Sequence, residues 1–269
     1  MTASTPPTDR DAAGGLPISQ GRPCVIVPVV SPTLSGLLDE ITALAGSPAQ
    51  MVEWRADLYA EARSLNDYVA VARELNAALR DAAQRHDNAT GLPLLFTYRN
   101  HTEGGRGIAN EQDYAMLVEA VAGSGDVAAI DVEFRHPQGP VVIDIASSEG
   151  AYVIASAHDF EGTPPRDDII ALLADMEAAG ADVAKVAVMP RTPADVLTLL
   201  DATHRRREQA AIPLITMAMG PLGAITRLAG QVFGSAATFA TVGEGSAPGQ
   251  LDADTVATVL DLMHEQLEG

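Results

Sequence analysis

The chain has 269 residues, of which 47% are hydrophobic and 20% are charged, a composition that excludes a disordered or fibrous protein. Its 36 acidic and 17 basic residues give a formal net charge of −19, so the molecule repels nucleic-acid phosphates and anionic membrane surfaces. We therefore expect neither nucleic acid nor a membrane as a partner, and a site for an anionic substrate would need its own arginines.

The first 20 residues are rich in Pro, Gly, Thr and Asp and have no apolar periodicity, which predicts a disordered tail before a single domain at 21–269. The sequence contains neither an apolar run of about 18 residues nor a basic segment followed by an apolar one, which predicts a cytoplasmic protein. The single cysteine, Cys24, excludes an intramolecular disulfide. Its apolar setting, CVIVPVV, favours a buried small hydrophobe over a reactive thiol.

From Cys24 onward, short apolar runs rich in β-branched residues alternate with segments of helical spacing such as TLSGLLDEITALAG and TPADVLTLLDATHRRREQ. Eight such alternations predict a parallel sheet closed into a (β/α)8 TIM barrel. The alternative is an open doubly wound sheet, but the segment after Val30, SPTLSG, lacks the expected glycine spacing. A last helix is predicted at 252–266. The predicted strands are 24–30, 51–57, 93–99, 129–134, 152–159, 183–189, 213–219 and 236–242.

Several of these strands carry polar residues two positions apart, which places them on one face. The outer face of a barrel strand meets apolar helices, so we expect these residues to point into the barrel, where TIM-barrel enzymes place their active sites at the C-terminal strand ends. Some of them, Asp57 and Asp131 above all, could instead form structural ion pairs. The sets are Glu53, Arg55 and Asp57; Thr97 and Arg99; Asp131 and Glu133; and Ser156 and His158.

Lys185, in the apolar run VAKVAV, is the only lysine among the 17 basic residues. Arginine cannot replace the nucleophilic chemistry of a lysine amine. Burial disfavours the charged form of an amine, and a neutral amine can attack a ketone or aldehyde to give an iminium. The sequence therefore favours a Schiff-base lysine, and the alternative is a structural lysine paired with an interior carboxylate.

His158, at the end of the preceding predicted strand in SAHDF, is the candidate for general acid and base, because the usual pKa of histidine lies near neutral pH. The alternative is a structural histidine. The sequence has no spacing of His, Asp and Glu that indicates a metal site, so we predict no metal ion.

Seven motifs, in the same order from about residue 24 to the end, resemble the type I 3-dehydroquinate dehydratases. One departure is Tyr98, where the family commonly has phenylalanine, and the N-terminal tail looks longer than usual. The motifs are EWRADL at 53–58, FTYRNHTEGG at 96–105, IDVEF at 130–134, SAHDF at 156–160, VAKVAVMP at 183–190, TMAMGPLGAITRLAG at 216–230, and FGSAATF with GSAPGQ at 233–250.

The resemblance implies a cofactor-free TIM barrel of the shikimate pathway, usually a homodimer, that converts the small molecule 3-dehydroquinate to 3-dehydroshikimate. It implies that Lys185 forms the Schiff base, that His158 transfers the proton and that Glu103 partners this histidine. The implied substrate-binding residues are Glu53, Arg55 and Arg99 for the ring hydroxyls, Arg227 for the carboxylate, Met217 and Met219 as an apolar wall, and Ser246 and Gln250 on a mobile loop.

The residues alone leave other functions open. A Schiff-base aldolase or transaldolase would use the same lysine and would place a sugar phosphate at the glycine-bearing loops GPLGAITR and GEGSAPGQ. A non-catalytic barrel that binds a small acid is a third possibility. The segment 243–251 is expected to be a lid over the substrate, because its glycines and proline can continue neither a strand nor a helix; the alternative is a plain connection to the last helix.

Overall fold

A computed structural model describes residues 15–85, 91–108, 110–243 and 250–269. Ser246 and most of the predicted lid at 243–251 lie outside the described residues. None of the described helices is both long enough and apolar enough to cross a bilayer.

Eight parallel strands form the barrel, as the sequence predicts. Neighbouring strands pair in the order β7-β6-β5-β4-β3-β2-β1-β8, and the ring closes where the Ala236 amide donates to the Leu214 carbonyl at 2.7 Å. A short ninth strand, Leu251–Asp252 (β9), pairs in parallel with the end of β8. The barrel strands are Cys24–Val29 (β1), Met51–Arg55 (β2), Leu94–Thr97 (β3), Ala129–Glu133 (β4), Tyr152–Asp159 (β5), Val183–Val188 (β6), Leu214–Ala218 (β7) and Ala237–Thr241 (β8).

Helices surround the barrel and begin at residues suited to cap them. Thr33 accepts a hydrogen bond from the Gly36 amide, and Thr192 and Asp195 form a reciprocal capping box. Short 3-10 helices lie at Ala56–Leu58, His101–Glu103 and Pro221–Gly223. The helices are Leu34–Ala43 (α1), Leu65–Arg85 (α2), Glu111–Ala122 (α3), Gly139–Ser148 (α4), Arg166–Ala178 (α5), Pro193–Arg207 (α6), Ala224–Leu228 (α7), Gly230–Phe233 (α8) and Ala253–Glu268 (α9).

The two faces of the strands form two separate apolar cores. The larger core lies between the barrel and the helices and contains Trp54, Phe96 and Val186. The smaller core fills the barrel interior and includes Cys24 and Ile215. Cys24 is fully buried, and burial raises the pKa of its thiol to about 12, as expected for a residue that acts as a small hydrophobe.

The N-terminal segment contributes to the interior core. Ile18 is 5% exposed and belongs to this core, and Leu16 packs against it. The packed part of the chain therefore begins before residue 20, where the sequence analysis placed the end of a disordered tail. The composition of this segment concealed the boundary, since two apolar residues among Pro, Gly and Ser give no periodic pattern.

Candidate active site

The polar residues predicted to point into the barrel form one buried cluster near the C-terminal ends of β2 to β6. Strand register brings Asp131 level with Thr97, and Ser156 level with Lys185. Because charges survive burial only when they are paired and hydrogen-bonded, the contacts of each member define the cluster.

Lys185 points its amine at a carboxylate and an aromatic ring. Its Nζ lies 3.0 Å from Asp131 Oδ2 and 4.5 Å from the centre of the Phe239 ring. The lysine is 3% exposed. The amine thus lies inside the barrel, paired with an interior carboxylate and facing a ring whose π electrons attract a cation.

Arg99 joins the carboxylates of the cluster. Its guanidinium lies 2.7 Å from Asp131, 3.3 Å from Glu133 and 3.6 Å from Glu103. Burial alone would lower the pKa of Arg99, but the Asp131 and Glu133 charges raise it above its ordinary value. In the same way burial would raise the pKa of Asp131, and the Arg99 and Lys185 charges hold it below its usual range. Both groups are therefore ionised at neutral pH.

His158 and Glu103 form a pair beside the lysine. Glu103 Oε2 accepts hydrogen bonds from the backbone amide of His158 at 3.0 Å and from its ring Nδ1 at 2.9 Å. Burial lowers the pKa of His158 well below 6.5, and the charges of Arg99 and Lys185 lower it further. The imidazole is therefore neutral at physiological pH, with Nε2 free to accept a proton.

A tight loop holds Glu103 in this position. Burial raises the pKa of Glu103 to about 7, with Arg99 opposing this shift. Gly104 has a φ of 79°, and a Cβ at Gly105 would clash with the Arg99 carbonyl. The amide of Gly107 donates to the same carbonyl at 2.9 Å. The TEGG turn therefore requires glycine for its backbone, as the motif indicates.

Glu53 and Arg55 extend the cluster along β2. Glu53 accepts a hydrogen bond from the Thr97 hydroxyl at 2.9 Å. Arg55 is held by Asp57 through two parallel hydrogen bonds of 2.8 and 2.9 Å, and Asp57 also accepts the Arg106 amide at 3.0 Å. The strand ends at Arg55, so Asp57 belongs to the following 3-10 helix and forms an ion pair with its neighbour.

Arg227 enters the site from α7 as a buried cation. Its Nη1 lies 3.7 Å from Met217 Sδ and 3.4 Å from the Phe239 carbonyl, and its Nε has no partner among the described residues. Burial lowers its pKa to about 10. Met217 and Met219 are buried in the interior core beside it. A guanidinium in this position can bind an anionic group such as a carboxylate.

Two predicted site residues are not placed in the cluster by these contacts, and two contacts of the cluster were not predicted. Ser246 lies outside the described residues, and Gln250 is partly buried just before β9. The sequence analysis did not select Phe239 as a site residue, although its position two residues from Ala237 and Thr241 places all three on one strand face. It named Ser156 only for its strand face, and the Ser156 hydroxyl donates to Asp131 at 2.6 Å.

The described residues form no group of three or more His, Cys, Asp or Glu side chains arranged to hold a metal ion. Within the described residues, the site offers a lysine amine, a neutral imidazole oriented by a carboxylate, and a guanidinium with no carboxylate partner. These groups are suited to covalent attack on a carbonyl, to proton transfer and to the binding of an acid.

Comparison with known proteins identifies the family that this chain resembles. Residues 25–267 match the model of the Type I 3-dehydroquinase family. A 3-dehydroquinate dehydratase of Listeria innocua is 40% identical over 249 residues, which cover 92% of this chain and 95% of that protein. The Klebsiella pneumoniae 3-dehydroquinate dehydratase is 39% identical, over 95% of this chain and 99% of that protein.

Solved structures agree with the sequence comparisons. The type I 3-dehydroquinate dehydratase of Clostridium difficile, with covalently modified comenic acid, superposes with a TM-score of 0.84 at 35% identity, over 93% of this chain and 95% of that one. The 3-dehydroquinate dehydratase of Geobacillus kaustophilus gives a TM-score of 0.83 at 38% identity, over 92% and 96% of the two chains.

Proposed function

The chain belongs to the type I 3-dehydroquinase family, and on that premise we propose that it dehydrates 3-dehydroquinate to 3-dehydroshikimate through a Schiff base on Lys185. The observation that carries this proposal is the buried Lys185 amine with the His158–Glu103 pair beside it. The relatives are 3-dehydroquinate dehydratases, and the chain is a hydro-lyase of the same family.

Binding of the substrate is proposed to use the arginines of the site. Arg227, which contacts no carboxylate among the described residues, would bind the substrate carboxylate, and Arg55 and Arg99 would hold ring hydroxyls together with Glu53. Met217 and Met219 would form the apolar wall, and Ser246 and Gln250 would approach from the loop before β9. Arg227, the arginine of this set that forms no ion pair among the described residues, supplies the local positive charge that a protein with a net charge of −19 needs to bind an acid.

The covalent step begins with the neutral amine of Lys185. Its lone pair attacks the ketone carbon, the carbonyl oxygen takes up protons and leaves as water, and an iminium remains. The iminium acidifies the adjacent C–H, and His158 Nε2 accepts that proton. The C–H electron pair forms a C=C bond, and the iminium π electrons move onto Nζ to give a neutral enamine. The hydroxyl at the β position then leaves as water with the proton that His158 returns. Hydrolysis of the product iminium releases 3-dehydroshikimate and restores the amine.

The wider setting follows from the same family membership. We place the reaction in the shikimate pathway of aromatic amino acid biosynthesis, in the cytoplasm, with no cofactor and with a homodimer as the working form. Size-exclusion chromatography with light scattering tests the dimer, and turnover of the purified protein without added cofactor tests the cofactor requirement.

The Schiff base is tested by borohydride reduction during turnover of 3-dehydroquinate. The reduced adduct should add one substrate-derived mass to the peptide that contains Lys185, which is the only lysine of the chain. Lys185→Arg, which retains the positive charge beside Asp131 but is not a Schiff-base nucleophile, is the matched control and should add none. A substrate-derived mass on that variant would show that the covalent intermediate forms elsewhere.

A further inference from the structure

The carboxylate that contacts Lys185 is held in a fixed orientation. Asp131 Oδ1 accepts hydrogen bonds from Arg99 at 2.7 Å and from the Ser156 hydroxyl at 2.6 Å. The other oxygen, Oδ2, lies 3.0 Å from Lys185 Nζ. Two neighbours thus orient the carboxyl plane, and one oxygen is left to face the amine.

Burial makes this contact strong. The side chains of Asp131 and Lys185 are 1% and 4% exposed, so water screens their attraction little. Within the described part of the chain, Asp131 is the carboxylate that forms an ion pair with Lys185, while Glu133 pairs with Arg99 and Asn100. The two carboxylates of β4 therefore share Arg99 and differ in their second partner, which is Lys185 for Asp131 and Asn100 for Glu133.

From this geometry we propose that Asp131 is a further catalytic residue, the fixed counter-ion that stabilises positive charge on Lys185 Nζ in both the ammonium and the iminium forms. The iminium part of this inference rests on the proposed function. No bond to Asp131 forms or breaks, and in both of these forms the positive charge lies on the same nitrogen. Phe239, whose ring centre lies 4.5 Å from Nζ, favours the same charge.

The alternative role, a base that removes the proton of Lys185, is disfavoured by the surroundings of Asp131. Burial would raise its pKa, but Arg99 and Lys185 hold it below the usual range, and a carboxyl of low pKa is a poor proton acceptor. The other charged or titratable groups at this end of the barrel are Glu53, Arg55, Arg99, Glu103, Glu133, His158 and Arg227.

The single lysine allows the charge on Nζ to be measured directly. Lysine labelled with carbon-13 at Cε should give one protein resonance, and its chemical shift follows the ammonium-to-amine titration without substrate. In Asp131→Asn the shape and the acceptor oxygen remain but the charge is lost. We expect the midpoint of the titration to fall by about one to three pH units, the usual effect of one nearby opposite charge.

Glu133→Gln is the matched control, because it removes a buried carboxylate of the same strand that contacts Arg99 and not Lys185. We expect its midpoint to move by less than about a third of the Asp131→Asn shift. An unchanged midpoint in Asp131→Asn, or equal shifts in the two variants, would overturn the counter-ion role.

If Asp131→Asn does not fold, Arg99→Gln is compared with the double variant Arg99→Gln/Asp131→Asn. Arg99 and Asp131 carry opposite charges, so the double change preserves the net charge of the cluster. The midpoint should again be lower in the double variant, and equal midpoints would reject the inference. Borohydride trapping in the wild-type protein keeps the two proposals separate. Trapping with an unchanged midpoint rejects only the role of Asp131. A shifted midpoint without trapping rejects the Schiff base and with it the iminium part, and leaves Asp131 as the counter-ion of the ammonium.

Discussion

A single carboxylate oxygen of Glu103 binds both the backbone amide and the ring Nδ1 of His158, at 3.0 and 2.9 Å. With the Nδ1 proton donated to this oxygen, the lone pair of Nε2 is left for the substrate. Glu103 therefore sets both the tautomer and the direction of the imidazole, and the second oxygen, Oε1, has no hydrogen-bond partner among the described residues.

The activity of the wild-type protein should rise as pH increases through about 7, the pKa to which burial raises Glu103. An ionised Glu103 stabilises the imidazolium that forms when His158 takes a proton, whereas a protonated Glu103 does not. Glu103→Gln retains the hydrogen-bond acceptor without the charge. Profiles of kcat/KM against pH should therefore show this rise in the wild type and not in the variant, and a rise that persists in the variant would assign it to another group.

The same substitution should change the pH dependence of folding stability. The folded-state pKa of Glu103, about 7, lies above its usual value of 4.5, so the stability associated with its proton is fully present below pH 4.5 and is lost as pH rises through 7. Glu103→Gln mimics the protonated form. Thermal unfolding should show the variant to be more stable than the wild type at pH 8, by on the order of 2 kcal/mol, and equal to it at pH 4.5. A variant that is less stable at both pH values would contradict this.

His158→Ala should still form the iminium but turn over slowly. The lysine amine does not need the imidazole to attack the ketone, whereas loss of a general acid and base lowers a rate by roughly 10²–10⁴-fold. Borohydride trapping combined with a kcat measurement separates the two steps. If kcat remained within a few-fold of the wild type, His158 would have no part in the proton transfer.

Asp57→Asn should weaken substrate binding by releasing Arg55. Asp57 is the bidentate partner of that arginine and also holds the Arg106 amide, so the variant loses the orientation of a proposed ligand of the ring hydroxyls. We expect KM to rise about tenfold with a smaller decrease in kcat. Asp67→Asn, at a partly exposed aspartate that accepts hydrogen bonds from the Arg63 and Ser64 amides, is the control. Equal KM values in wild type and Asp57→Asn would make this pair purely structural.

The proposed lid at 243–251 predicts a difference between free and bound protein. Hydrogen–deuterium exchange of peptides from this segment should slow when 3-dehydroquinate is trapped on the enzyme with borohydride, and Gln250→Ala should raise KM more than it lowers kcat because the amide binds substrate without a buried charge. Identical exchange in the two states would leave the segment as a plain connection to α9.

The sequence predicted the barrel because every strand lies within its apolar run. The largest difference is at 93–99, where Pro93, Tyr98 and Arg99 lie outside β3. The eight alternations imply a helix between β4 and β5, but no helical segment is named there because Gly139–Ser148 is dense in Val and Ile. Packing of Val142, Ile143 and Ala146 against the barrel determines α4. The short helices α7 and α8 were also missed, because each is shorter than two full turns of helical periodicity.

For the site, residues two apart on a strand predicted which side chains would face the interior, and the contacts of Glu53, Arg99 and Lys185 agree. The partners within the cluster could not be predicted. Asp131 and Glu133 lie on one face of β4 and look equivalent in sequence, yet the barrel geometry gives one to Lys185 and the other to Asn100. Such differences depend on the stagger between strands, which no single strand encodes.

Binding of an acid at Arg227 should raise the thermal stability of the folded chain, so the melting temperature would show whether the site is occupied. A guanidinium buried without a carboxylate among the described residues, with its pKa lowered to about 10, is a source of instability that an incoming acid removes. A ligand that binds the folded state raises the free energy of unfolding in proportion to the logarithm of its affinity. The increase is about 2.7 kcal/mol when a ligand is present at 100 times its dissociation constant. A melting-curve screen of small carboxylic acids could therefore rank inhibitors of the enzyme without a substrate or a coupled assay.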